Sequence, residues 1–413
     1  DHVVTDINSW HFYMHDYEQA REHIEEVVAR TYEGSSFNYV GGNKQGNQPL
    51  MNSEYGGISA RAGDLDVSWC LRSLTNELRR HEKICGYVYT ELTDIEWEYN
   101  GIYNYDRSPK EFGYDPAMLL GDTFVGFDAP PGRMVVPGAS VRVPVFLRPS
   151  ADAEELERRL RWSAVFTDWL GREEVIARER LLAHTATGEA HIELKLPRRP
   201  GLVRLEAVLY DEHWKPAAGN FGYFELVGDT GKTERDGALI LTLPAGAGEA
   251  SFDAEPERGE VGGAVHLLAG QGDGSIRWSF ELPEGLDPAS VREISVQAEL
   301  SSARPGAPQT SGDRWPSRVA IRIGGREVAD LWLADQPADS RGALSHMNGF
   351  RGRYGELISA GVSGAAAAEL AAQGVVEVEV IAHDAAPGEG GLTVYGSRAG
   401  RYPCDIILRI SHD

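Results

Sequence analysis

Pro49-Leu50-Met51-Asn52-Ser53-Glu54-Tyr55-Gly56-Gly57 is a short apolar run that ends in a carboxylate and passes at once into glycine. Read as a strand, it sets Glu54 at the strand's carboxyl end, where parallel sheets and barrels keep their chemistry. Two further stretches share the design: Asp6-Ile7-Asn8-Ser9-Trp10-His11-Phe12-Tyr13, and Gly86-Tyr87-Val88-Tyr89-Thr90-Glu91-Leu92-Thr93-Asp94. Each places polar and aromatic groups just beyond an apolar strand, a setting suited to a polyhydroxylated ligand. Around them, residues 1 to about 120 alternate strand and helix. A strand is predicted over Val3 to Ile7, and a helix over Tyr17 to Glu33 with Ala20, Ile24, Val27 and Val28 on one face. A Gly/Asn/Gln loop from Ser35 to Gln48 is of the kind that covers active sites. A second helix is predicted from about Leu65 to Lys83, striped by Leu71, Leu74 and Leu78, and then a strand over Gly86 to Tyr89. Repeated βα units imply a parallel sheet.

The pattern changes near Gly121. From there to about 230 the chain alternates at period two, with Val141, Val143, Val145 and Leu147 on one face and Val203, Leu205, Ala207 and Leu209 on another. Several short strands over about 100 residues predict an immunoglobulin-like sandwich. Gly228 to Gly237 reads as a linker. Residues 238–413 are again mostly strand, with Val376, Val378 and Val380 alternating with Glu377 and Glu379, and Ile406, Leu408 and Ile410 closing the chain. They predict a jelly-roll or galactose-binding-like sandwich, interrupted by a helical piece at about Ala365 to Gln373. The fold class expected is therefore multidomain, α/β followed by all-β, with no internal repeat.

Bulk properties narrow the function. The chain's 413 residues exceed one ordinary core. A net charge of −23 argues against a nucleic-acid partner, which needs a basic face. Cys70, Cys85 and Cys404 are too few and too scattered for a disulfide framework or a zinc site. No apolar run approaches the roughly 18 residues of a membrane span, so no membrane partner is expected. The chain opens on Asp-His-Val-Val and reads as the remainder of a longer polypeptide; its compartment, cytoplasmic or secreted, is left open.

The first 120 residues resemble the C-terminal part of the catalytic barrel of family 2 glycoside hydrolases, the group of β-galactosidases, β-glucuronidases and β-mannosidases. The resemblance rests on Thr5-Asp6-Ile7 through Trp10-His11-Phe12-Tyr13, on Pro49-Leu50 with Ser53-Glu54-Tyr55-Gly56, and on Gly86 through Asp94. Glu98-Tyr99-Asn100-Gly101 and Tyr105-Asp106-Arg107-Ser108-Pro109-Lys110 extend it. It implies strands 6 to 8 of a TIM barrel, with Glu54 as the nucleophile of a retaining β-glycosidase and Tyr13 as the phenol that orients it. His11 and Tyr89 would contact the sugar, as would Glu91, with less support than a strand buttress; Asp94 is a further candidate. Each has a plainer reading: His11 as a satisfied polar group beneath the loop, Tyr89 and Trp97 as core aromatics. Trp315, Trp332 and Tyr354 form a conceivable sugar face in the last domain, with core packing the better expectation.

No metal or cofactor is required. The carboxylic acid that such an enzyme needs about 5–5.5 Å from its nucleophile belongs upstream, and the Asn76-Glu77 pair lies within a predicted helix. The chain alone is expected to be inactive, its partners being a β-glycoside and the missing N-terminal part, with self-association at an open barrel edge. The usual uronate-gripping Asn-x-Lys is absent, since no lysine stands between the Gly86 to Tyr89 strand and Lys110. A neutral sugar, in the first place a β-galactoside, is therefore favoured. Two alternatives stand beside this: a non-catalytic carbohydrate-binding or scaffold protein, and one half of a split enzyme.

Overall fold

A computed structural model describes residues 2–57, 67–96, 98–148, 159–180, 189–228, 233–235, 237–303, 316–334, 336–383 and 390–412. Trp97 and Trp315 lie outside these. Strand β1 (Asn8–Tyr13), helix α1 (Tyr17–Arg30), strand β2 (Leu50–Gly56), helix α2 (Val67–Arg80) and strand β3 (Ile84–Tyr89) come first. The strands form a parallel sheet in the order β1-β2-β3. Asp16 starts α1 by accepting the Gln19 amide at 2.9 Å, and the Thr31 hydroxyl donates to Val27 O at 2.7 Å to end it. Ala20, Ile24 and Val27 pack against Trp10, Phe12, Leu50 and Tyr55. Burying a branched aliphatic such as Ile24 or Val27 contributes about 1.5–3 kcal/mol. Three strands are present where a closed barrel needs about eight, so the described sheet is not a barrel.

Two expectations for this region are corrected. The first strand begins at Asn8 rather than Val3; Val3 and Val4 are largely exposed, because no layer of the fold lies over them. The loop before β2 covers the amino ends of the strands, where Asn8 donates to Gln45 Oε1 at 2.8 Å. It follows a helix and precedes a strand, and in a βα repeat such a connection lies at the end opposite the carboxyl mouth. It does not cover Glu54.

Helix α2 is buried almost all round. Leu74 and Leu78 meet the sheet. The other side, carrying Arg72 and Asn76, is turned to the following β structure rather than to water. Asn76 accepts from Phe127 N at 2.9 Å and donates to Phe127 O at 2.7 Å. Arg72 lies between the rings of Trp69 and Phe221. Asn76-Glu77 is thus a helical fastener, and the buried Glu77 is held by Arg21 and Arg80.

Beyond α2 come β4 (Phe124–Phe127), β5 (Gly132–Val135), β6 (Ser140–Arg148), β7 (Leu160–Asp168), β8 (Glu173–Arg180), β9 (Glu189–Lys195), β10 (Gly201–Tyr210) and β11 (Pro216–Leu226). They make two sheets, β5-β11-β10-β7-β8 and β4-β6-β9, facing one core that holds the Val141 to Leu147 and Val203 to Leu209 stripes. Two further sheets follow. One has eight strands, with Ile406–His412 and Val291–Ser301 at its centre; the other has five, with Val375–His383 in the middle. Their shared core contains Val376, Val378, Val380, Ile406, Leu408 and Ile410, and a short helix, Ala365–Ala371, closes it. Within the expected linker, Thr233–Arg235 pairs antiparallel with Ala238–Ile240 and so extends the larger sheet.

Candidate functional site

Strict alternation along β2 would turn Glu54 to the same side as Leu50, beneath the helices. A bulge prevents this. Trp10 pairs with Asn52 and His11 with Glu54, so Ser53 is an extra residue. Strand β3 shows the same slip, with Tyr87 opposite Asn52 and Tyr89 opposite Tyr55. The inserted residue shifts the phase by one. Tyr55 enters the core with Leu50, while Glu54 comes to the face of His11 and Tyr13. The glycines that follow serve close approach: a Cβ on Gly56 would stand 2.6 Å from Asn100 Nδ2, and one on Gly57 2.2 Å from Cys70 Cβ.

At this carboxyl end, Tyr13 Oη donates to Glu54 Oε1 at 2.5 Å. Burial raises the phenol's pKa, and the hydrogen bond to the Glu54 carboxylate raises it further, so Tyr13 remains a donor. Thr90 hydrogen-bonds the same phenol. His11 Nδ1 lies 3.9 Å from Glu54 Oε2. The mouth is open: the His11 side chain is 59% exposed and that of Glu54 39%. One carboxylate oxygen is therefore fixed by a phenol while the other faces solvent beside an imidazole. That arrangement can aim a nucleophile or accept hydrogen bonds from hydroxyl groups.

Tyr13, His11 and Glu54 come together on one face; the other sequence candidates divide differently. Tyr89 stands edge-on to the buried Tyr55, ring centroids 5.3 Å apart, and its hydroxyl donates to Asn100 O at 2.6 Å. It packs against the sheet and braces the following loop. Asp94 is likewise structural: Lys110 Nζ meets its Oδ1 at 2.8 Å with both side chains buried, and Gly101 N donates to the same oxygen. Glu91 lies in the loop directly after β3. Burial, then the neighbouring Glu98 and Asp94 carboxylates, push its pKa up to about 7, and its buried Oε1 has no hydrogen-bond partner. A carboxyl group in that state is a hydrogen-bond donor for part of the time near neutrality. In the C-terminal sandwich Tyr354 is buried and donates to Asp339 at 2.9 Å, whereas Trp332 is exposed.

Sequence reasoning missed the Ser53 bulge and the part played by Thr90. A bulge leaves period-two alternation locally out of step, and the step from Leu50 to Tyr55, both core-facing at odd spacing, was the available signal. Among the described residues no group of three or more His, Cys, Asp or Glu is arranged to hold a metal ion, and no helix is long and apolar enough to cross a membrane.

No family model and no curated protein matches the chain. Among solved structures it is similar to a calcium-binding mutant of Bacteroides uniformis β-glucuronidase 2, at 12% identity and a TM-score of 0.27, over 99% of this chain and 45% of that one. It is similar to Parabacteroides merdae β-glucuronidase at 10% identity and a TM-score of 0.28, over 95% and 42%. Tandem carbohydrate-binding modules of a family 98 glycoside hydrolase from Streptococcus pneumoniae align at 9% identity and 0.23, over 66% and 78%. The chain spans less than half the length of these β-glucuronidases. Superpositions this loose leave function to the chemistry of the site.

Proposed function

We propose that Glu54 is the nucleophile of a retaining β-glycosidase, and that this chain supplies one of the reaction's two carboxyl groups. The observation that carries the reading is the 2.5 Å Tyr13–Glu54 hydrogen bond at the carboxyl end of a parallel sheet, with His11 alongside. In this reading residues 1–120 are the C-terminal portion of a TIM-type barrel. Residues 121–230 are an immunoglobulin-like accessory domain, and residues 238–413 a jelly-roll-type one. Glu54 attacks the anomeric carbon, the bond to the leaving oxygen breaks, and water then hydrolyses the glycosyl ester. Tyr13 holds the attacking carboxylate in line and lets go of its charge as the new bond forms. His11, and Glu91 when protonated, donate to sugar hydroxyls. The acid that protonates the leaving oxygen comes from a segment outside these residues.

A neutral β-glycoside, with a β-galactoside first, suits the mouth best. Lys110, the first lysine after β3, is turned inward to Asp94 and the Tyr99 carbonyl, where it cannot meet a sugar carboxylate. The test is hydrolysis of aryl β-galactoside, glucoside, mannoside and glucuronide by this chain alone and by the chain extended upstream through the strand carrying the acid. Activity in the extended form alone, on a neutral sugar, is the expected outcome. Silence from the extended form on every sugar would replace the enzyme reading with a carbohydrate-binding one.

A further inference from the structure

A cavity of about 150 Å³ lies far along the chain from Glu54, between the outer face of the β5-β11-β10-β7-β8 sheet and two loops of the C-terminal sandwich. Alternation explains its floor. Ala164, Phe166, Val203 and Leu205 enter the sandwich core, so Thr167, Arg204 and Glu206 project outward. The loops that roof it bring Arg341, Arg401 and Tyr402. A sheet face covered only for stability is ordinarily apolar; this one gathers guanidinium groups.

Arg341 is already committed to Asp339, at 2.9 Å through Nε and 2.6 Å through Nη2. Arg204 is not. Its Nη2 reaches Glu206 only at 3.4 Å, and its Nε is buried with no hydrogen-bond partner. Arg401 makes no ion pair among the described residues; its guanidinium lies 5.2 Å from the Tyr402 ring centroid. The loop is set firmly, because Glu299 accepts the backbone amides of Arg401 and Tyr402 at 2.8 and 2.9 Å.

Two guanidinium forks with spare donors match the planar, two-oxygen geometry of a carboxylate. Glu173, Glu206 and Thr167 offer acceptors for hydroxyl groups, and Tyr402 offers a ring face. The space admits about one pyranose ring. We propose that this junction binds a single acidic sugar, its carboxylate received by Arg204 and Arg401 and its hydroxyls by Glu173, Glu206 and Thr167.

The test is calorimetric or NMR titration of the chain with glucuronate, glucose and inorganic sulfate. Glucuronate is expected to bind, with sulfate competing and glucose at least about tenfold weaker. Arg401→Gln and Arg204→Gln should each weaken glucuronate by about tenfold or more, while Arg401→Lys recovers part of the loss. Glu54→Gln should leave this affinity unchanged, which separates the junction from the proposed catalytic mouth. Thermal melting of each variant confirms that it is folded. Equal affinity for glucose and glucuronate, no binding of either, or binding indifferent to both arginine changes in folded protein would overturn the proposal.

Discussion

Glu54 and Glu299 are both strand carboxylates, and the molecule handles them in opposite ways. Glu299 is fully buried, and its two oxygens accept the amides of Gly355, Arg401 and Tyr402 at 2.8 to 3.1 Å. A Cβ on Gly400 would stand 2.3 Å from Glu299 Oε1, so the loop fits closely around it. Its oxygens are held by backbone that cannot leave without unfolding the loop. Glu54 has one oxygen taken by a phenol and the other open beside His11. A carboxylate saturated by amides is a fastener; one oriented at a single oxygen and left accessible at the other is equipped to react.

The largest expected effect separates the two directly. In the upstream-extended form proposed to hydrolyse a β-glycoside, Glu54→Gln should lower kcat by about 10⁴-fold or more with no change in melting temperature. Glu299→Ala should do the reverse, removing about 3 kcal/mol or more of stability by stranding three backbone amides, that of Gly355 buried; calorimetric melting of both variants sharpens or breaks the contrast. Tyr13→Phe comes next. It keeps the ring and removes the donor, and should lower kcat by about 10- to 100-fold while changing KM little. A loss confined to KM would make Tyr13 a sugar contact instead.

The smallest effect concerns Glu91. Its folded pKa of about 7 lies above the ordinary 4.5, so the folded chain holds this proton more tightly than the unfolded one. The resulting stabilisation is complete below pH 4.5 and is lost as pH rises through 7. Glu98→Gln removes the carboxylate that repels Glu91 most strongly and should lower the Glu91 pKa, as read by carboxyl NMR titration. An unmoved pKa would assign the shift to burial and Asp94.

The sequence made the strand leading to Glu54, the strand over Gly86 to Tyr89, both helix stripes and the period-two cores of the sandwiches legible, because periodicity is set by which face is buried; the first strand was not, since it runs over Asn8–Tyr13 and not Val3 to Ile7. Leu50 before Glu54, and the valines at 376, 378 and 380, were readable in this way. Less of the site was legible. Tyr89 has the composition of a binding aromatic, yet the Asn100 carbonyl and the Tyr55 ring claim it. The loop from 35 to 48 has the composition of a cover, yet chain order sends it to the far end of the strands. Asp94 and Lys110 lie sixteen residues apart and show their ion pair only once the intervening loop folds. Deleting Ser53 would test the bulge itself: without it, Glu54 should turn toward the helices and the hydrolysis proposed for the extended form should vanish.

The most direct test of Glu54 uses substrates whose leaving group needs no acid. A panel of 2-deoxy-2-fluoro-β-glycosides bearing fluoride or dinitrophenolate allows a nucleophile to form its glycosyl ester without the second carboxyl group, and the slowed hydrolysis lets the ester accumulate. Peptide mass spectrometry of the treated protein should find one added fluorosugar on the peptide that contains Glu54, and none after Glu54→Gln. A fluorosugar on any other carboxylate, or one that persists in the Glu54→Gln variant, would contradict the account.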